Sequence, residues 1–475
     1  MFKELMKRQL IEDIISFRFL INTVVILSTV ILFTLIFIKN YHNLLDEYSK
    51  SIMYNEDTLV SFSKSPNSHL GSTFLSCLMK PKPELFISEA HEGTMPQGFL
   101  FSPQPYSIRD IKQEKEVMYT NISQRDLVGA AFSFYPDLTF IVQFLLGFFA
   151  IVLTFNAVSA EKEKGTLRLI YSNSFKSGYF VLAKYLAAFL TVFLPLLLGL
   201  ILSLILLAAL LPGAFYSALV LNFLSFLILS LLYISIFILL GLLLSILSQN
   251  SKTSLVLCLL SWIFLVIIIP KATGILLNSK QFDVPTEEEI NEMGDKAVKS
   301  TMDRIRKQFP DDYARGLDAD RKIEMKLKMN HEVDKSIQDI SDFYLRKKLS
   351  AIKTIRAVNF ISPASLFEFS ASSFAGTGLS HFEGVWIRTK QYGSDFIAFL
   401  KEDTSILRKG SYFYPADESV SDKPIDASLI PRFEDKTAKP GERINNALPF
   451  ISILILYNLL LFVIVIYKFQ RYDVR

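Results

Sequence analysis

Apolar residues in this chain fall in blocks. From Phe19 to Ile38, bounded by Arg18 and Lys39, from about Leu138 to Val158 and from about Thr253 to Ile269, the chain carries almost no charge. Runs of about 18 or more such residues predict helices that cross a bilayer. Between Tyr185 and Asn250 there is no charged residue at all, about twice the length one crossing needs. Leu211-Pro212-Gly213 interrupts that stretch near its middle. Proline and glycine together favour a turn, so the pattern predicts two helices, 180–211 and 215–247, joined by a tight hairpin. A last apolar run covers about Ala447 to Tyr467, which makes six spans: 18–39, 138–158, 180–211, 215–247, 253–270 and 447–467.

Helical periodicity of another kind marks the segments outside the spans. Phe2, Leu5, Met6, Leu10, Ile11, Ile14 and Ile15 recur at helical spacing, with Lys3, Glu4, Lys7, Arg8, Glu12 and Asp13 opposite. Residues 1–17 therefore read as an amphipathic helix lying in a membrane interface. Thr286-Glu287-Glu288-Glu289 has capping-box spacing and starts a helix that ends near Pro310. From Asp318 to about Asn359, Val333, Ile337, Ile340 and Tyr344, then Leu349, Ile352 and Ile355, predict a second helix and hence a projecting hairpin. Ser362-Pro363 is an N-cap followed by proline at the first helical position, and Gly376-Thr377-Gly378 ends that helix. Residues 40–137 are broken by Pro81, Pro83, Pro96, Pro103 and Pro105; Leu85-Phe86-Ile87 and Gly98-Phe99-Leu100-Phe101 are its candidate strands. Residues 403–446 are polar and rich in proline, and run irregularly back to the membrane.

The expected fold is an all-α integral membrane protein. It has six transmembrane helices, an α+β extracytoplasmic insertion at 40–137 and a long helical-hairpin extracytoplasmic domain at 271–446. Orientation follows from the basic residues of the short segments. Lys3, Lys7, Arg8 and Arg18, then Lys162, Lys164, Arg168 and Lys176, then Lys252, and Lys468, Arg471 and Arg475 in the tail 468–475 all fall on one side of a six-span arrangement. Both termini and the segment 159–179 are thus expected in the cytoplasm.

Composition narrows the function. The chain has 475 residues, of which 51% are hydrophobic, with net charge +4. That charge and the absence of a basic, aromatic patch speak against nucleic acid. Two cysteines, Cys77 and Cys258, lie far apart and read as unpaired thiols. His42, His69, His91, His331 and His381 make no H-E-x-x-H pair, and the chain has no G-x-S-x-G elbow and no G-x-x-x-x-G-K-[ST] phosphate loop. No catalytic, metal or cofactor residues are expected. The span interiors hold essentially no ionisable groups, with Asp137 and Lys184 at predicted edges. Any work done on a substrate would then draw its energy from another polypeptide.

The mixed-charge stretch Ser159-Ala160-Glu161-Lys162-Glu163-Lys164-Gly165-Thr166-Leu167-Arg168-Leu169-Ile170 lies between the second and third spans, where it must be a surface at one membrane face. With Asn156-Ala157-Val158 before it, it resembles the segment after the second span in permeases of the ABC-2 type exporter family, roughly small-x-E-x-E-x-G-T-h-x-h. Ser362-Pro363-Ala364-Ser365-Leu366-Phe367 through Ala375-Gly376-Thr377 resembles a subgroup with large extracytoplasmic insertions. The resemblance implies a permease subunit whose 159–179 segment forms a coupling helix seated in a separate cytoplasmic ATPase, which would bind the ATP and magnesium. Glu161, Glu163, Lys164, Gly165, Thr166, Leu167 and Arg168 are then the interface residues, with Leu167, Leu169 and Ile170 as an apolar anchor. It further implies a second permease copy or paralogue and a bacterial inner membrane. Two other functions remain open: mechanotransmission to an envelope protein through the extracytoplasmic hairpin, and a membrane-anchored scaffold without an ATPase.

Overall fold

The computed structural model describes residues 2–66, 73–89, 98–103, 106–110, 137–167, 177–214, 217–272, 284–308, 319–400, 423–436 and 438–471. Six of its helices are long and apolar enough to cross a membrane. Helix α1 (Phe2–Ile15) stops at Ser16, whose extended backbone and hydroxyl cap the next helix by accepting the Phe19 amide at 3.2 Å. That helix, α2, runs unbroken from Phe17 to Lys64, 48 residues or about 72 Å. It continues well past Lys39 because nothing between Asn40 and Lys64 breaks it. There is no proline or glycine until Ser65-Pro66, where the ring excludes the preceding residue from helical geometry.

The remaining spans interlock with alternating direction. Helix α3 comprises Leu138–Phe140, a π-helical turn at Ile141–Leu146 and Gly147–Thr154. The short helix α4 (Ser159–Glu163) precedes α5 (Ser177–Leu210); Pro212–Ala214 then turns the chain into α6 (Ser217–Leu247). Helix α7 (Ser251–Trp262) continues through a second π-helical stretch, Ile263–Ile268. One face of the bundle, the terminal face, carries both ends of the chain. There Arg18 lies over the Phe155 ring at 5.4 Å and Phe180 stacks on Phe469 at 5.8 Å. At the opposite face the Tyr41 hydroxyl meets the Pro81 carbonyl, the Thr139 amide meets the Ile87 carbonyl at 3.1 Å, and Asn222 donates to Glu84 at 3.0 Å.

Beyond that second face lies a mixed domain. Strands β1 (Leu75–Leu78), β2 (Gly98–Pro103) and β3 (Tyr106–Asp110) form an antiparallel sheet in that order. Leu85-Phe86-Ile87 is not a strand: Pro83 opens a 3₁₀ turn, Pro83–Phe86, that buries Phe86 among the spans. Helices α8 (Glu287–Gln308) and α9 (Ala319–Val358) form the hairpin, joined across by Arg304–Glu332 at 2.6 Å. The capping box at its start is reciprocal: the Glu289 amide donates to the Thr286 hydroxyl, and the Thr286 amide to the Glu289 carboxylate at 2.8 Å. Helix α9, 40 residues or about 60 Å, leads into α10 (Pro363–Ala375) and α11 (Leu379–Ala398).

The described parts of 40–137 and 271–446 do not pack separately. Leu59 and Phe62 of α2, Leu75, Cys77, Phe99 and Phe101 of the sheet, Leu345 and Ile352 of α9, and Phe382, Val385 and Phe396 of α11 share one core. Likewise, α10 is not purely part of an outer domain. Its Ser362 cap donates to the Leu265 carbonyl, Gln143 donates to the Ala364 carbonyl at 2.9 Å, and Phe367 lies 4.8 Å from Tyr233, halfway along α6. The chain dips into the span bundle at 359–367 and climbs out again. A helix buried almost all round can do this because its residues are small or apolar: Ala364, Leu366, Phe367, Phe369, Ala371 and Ala375. It ends at Gly376 with φ +69°, the left-handed conformation its lack of a Cβ permits.

Candidate functional site

The segment after α3 sits at the terminal face, pinned by both partners of the next turn. After Thr154 the helix loosens, and the Val158 and Ser159 amides both donate to the Ser245 hydroxyl at 3.0 Å. A residue of α6 thus supplies the cap that the local sequence lacks, because Val158 has no acceptor side chain. Lys162 then donates its ammonium to the Ile246 and Ser248 carbonyls at the C-terminal end of α6. Glu163 accepts both the amide and the hydroxyl of Ser251 at 2.8 Å, at the N-terminal end of α7. A cation on the last carbonyls of one helix and an anion on the first amides of the next match both helix dipoles. The adjacent pair therefore clasps the α6–α7 turn.

Glu161 faces the other way. Its carboxylate accepts the Thr166 hydroxyl, closing the turn 161–166, and lies 3.6 Å from the Lys184 ammonium near the start of α5. Lys184 also donates to Gln9 of α1 at 2.7 Å. Nearby Asp13 of α1 is held up to about 6 by burial, against the lowering effects of its Gln9 hydrogen bond and the Lys184 charge. Gly165 has φ +69°, and a Cβ there would meet nothing within 4 Å. It is needed for its backbone conformation and not for space.

The structure divides the expected interface residues by role. Glu161, Glu163 and Thr166 are engaged within the chain, although Glu163 keeps an exposed face. Lys164 and Gly165 point to the surface. Leu167 does not offer an apolar anchor to a partner: it is buried in the chain's own core, where it holds the segment down. Arg168, Leu169 and Ile170 lie outside the described residues. Sequence reasoning missed Lys162, Ser245, Ser251 and Gln9 as parts of the site. Lys184, the lone charge at the head of an otherwise neutral span, was the one signal that could have pointed to the junction. Among the described residues no group of three metal-ligating side chains occurs.

No curated protein matches this chain. A family model does: that of the ABC-2 family transporter proteins matches residues 5–474, a stretch that takes in every span, the clasped segment 159–167 and the helix that dips into the bundle. The chain is therefore a member of the ABC-2 transporter family, whose proteins are the membrane components of their systems and not the ATPase.

Proposed function

We propose that the chain is the transmembrane permease subunit of an ATP-binding cassette exporter, driven by a separate cytoplasmic ATPase that docks on residues 159–167. The observation that carries this reading is the clasp. One short surface segment is bonded to α6 and α7 through Lys162 and Glu163, and to α5 and, through Lys184, α1 by way of Glu161. A push on the exposed Lys164-Gly165 corner is thereby passed to four helices at once. Ion pairs of this kind fix register more than they add affinity, which suits a moving joint. Both termini would then be cytoplasmic, in the plasma membrane of a bacterium. A second copy or paralogue would complete the pathway, and α7 and α12 (Pro440–Gln470), whose most apolar windows are only 17% and 11% buried within the chain, would face it or lipid.

The test separates docking from internal support. Lys164→Glu reverses an outward charge of the corner without touching the clasp. It is expected to weaken pull-down of the ATPase and its stimulated hydrolysis while leaving the unfolding midpoint of the purified permease unchanged. Undiminished association and hydrolysis would count against docking here.

A second reading, mechanotransmission to an envelope partner without transport, is favoured by one specific observation. Helix α2 runs without interruption from the terminal face into the core of the sheet domain, where Leu59 and Phe62 are buried. A rigid rod of that length would carry motion across the membrane. Deleting the hairpin tip, 309–318, distinguishes the two: if substrate flux in vesicles persists while a cellular phenotype is lost, transmission gains.

A further inference from the structure

The junction between the sheet domain and the spans holds more positive charge than its partners balance. Lys82 and Glu84 come from the 3₁₀ turn, His381 and Arg388 from α11, Asp435 from the segment 423–436, and Arg443 from the start of α12. The Asp435 side chain is 1% exposed and accepts Arg388 at 2.7 Å and the Lys80 amide at 3.0 Å, with His381 Nε2 at 3.7 Å. Glu84, also 1% exposed, accepts Asn222 at 3.0 Å and faces Arg443 at 3.8 Å. Arg443 is further satisfied by the Ala438 and Phe374 carbonyls. Three cations thus share two carboxylates, and His381 is neutral, held down to about 4 by burial and by the neighbouring cations.

Two donors in this cluster have no hydrogen-bond partner among the described residues: Lys82 Nζ and Arg388 Nε, both buried. Lys82 is 9% exposed, and burial is the largest of the influences that lower its ammonium from its ordinary range. The Asp435 and Glu84 carboxylates act on this ammonium through space without hydrogen-bonding it, and a buried donor left without a hydrogen bond calls for a ligand. The location supplies one. Asn222 is within the first turns of α6 and Arg443 within the first turn of α12, so the cluster lies where those spans leave the bilayer, at the depth of lipid headgroups. Arg388 remains 27% exposed along its side chain and gives the cluster its open edge.

We propose that Lys82 and Arg388 form a binding site for a phosphate-type oxyanion, free or carried on a phospholipid headgroup, at the seam between the sheet domain and the spans. The anion takes hydrogen bonds from Lys82 Nζ and Arg388 Nε and supplies the missing negative charge. It thereby ties the 3₁₀ turn to α11 and holds the outer domain on the bundle. The site lies at the opposite face from residues 159–167 and does not depend on the exporter reading.

Thermal unfolding of the full-length protein, delipidated in a phosphate-free glucoside detergent, provides the test. Inorganic phosphate is expected to raise the midpoint above that in chloride at equal ionic strength. Lys82→Met is expected to abolish that shift, and Lys82→Arg to keep it. Nanodiscs identify the source: stabilisation in phosphatidylglycerol discs but not in galactolipid discs assigns the site to a lipid headgroup, and recovery in galactolipid discs on adding phosphate assigns it to the free ion. Direct binding of radiolabelled phosphate to the wild-type protein keeps the proposal testable should Lys82→Met fail to fold. A wild-type midpoint indifferent to phosphate and to phospholipid, with no bound label, overturns it. So does an equal shift in wild type and Lys82→Met, because Lys82 would then be a neutral or water-bonded amine.

Discussion

A Cβ built on Gly241 of α6 would overlap Thr154 Oγ1 of α3 and stand 3.0 Å from Thr154 Cβ, so the two spans cross there with no room for a methyl group. Close approach through a small residue is how helices pack where lipid gives no hydrophobic drive. Gly241→Ala is expected to destabilise the purified protein by about 1–3 kcal/mol, with part of the loss recovered in the double variant with Thr154→Ala. A Gly241→Ala midpoint equal to wild type would show that the crossing is looser than described. Asp13 makes a second prediction at this scale. Its folded value is raised to about 6 from 3.8, so the native state holds a proton that the unfolded chain has released. The stability this provides is complete below about pH 4 and is lost as pH rises through about 6. Asp13→Asn removes the titration, and stability relative to that variant should fall by about 1–3 kcal/mol across this window. Denaturation midpoints of both proteins measured at pH 4, 5, 6 and 7 check it, and parallel profiles would refute it.

Among the elements, the clasp of the α6–α7 turn is the most exposed to experiment. Lys162→Met removes two charge-assisted bonds to the Ile246 and Ser248 carbonyls where α6 ends, and is expected to cost about 1–2 kcal/mol after allowance for its partial exposure. Glu163→Gln should lower the midpoint by less. Both should raise hydrogen exchange at 245–255, and unaltered exchange there would mean that the pair is ornamental to the turn. Elements whose ends carry their own chemistry were legible in the sequence. Pro212-Gly213 ends α5, Thr286 with Glu289 starts α8, and Ser362-Pro363 starts α10. Each is a side chain or ring acting on backbone within a few residues. The extension of α2 to Lys64 was not, because loss of hydrophobicity marks where a membrane ends and not where a helix does. Nor was α11, whose apolar residues answer to the sheet: Phe382 and Trp386 pack on Phe99, more than 280 positions away in the chain.

Across the whole molecule, the same limit explains why two insertions read as two domains. Local patterning shows that a face is apolar but not what covers it. The union of the sheet, α9, α11 and the far end of α2 is a set of long-range contacts with no signature at short range. In the 159–170 stretch, family likeness pointed to a candidate segment, while the division of labour within it was out of reach, since Lys162 and Glu163 find their partners more than 80 residues on. The resulting picture is of a bundle gripped at one face by a charged clasp and spanned by a rod that enters a domain at the other. Its central claim is that the clasped corner faces the cytoplasm and is covered by an ATPase. The native thiols, Cys77 and Cys258, are both buried, so a cysteine placed at Lys164 gives a clean reporter. A membrane-impermeant maleimide is predicted to leave it unmodified in intact cells, to label it in opened membranes stripped of the ATPase, and to lose access again when the ATPase is restored. Labelling of position 164 from outside intact cells would contradict the account.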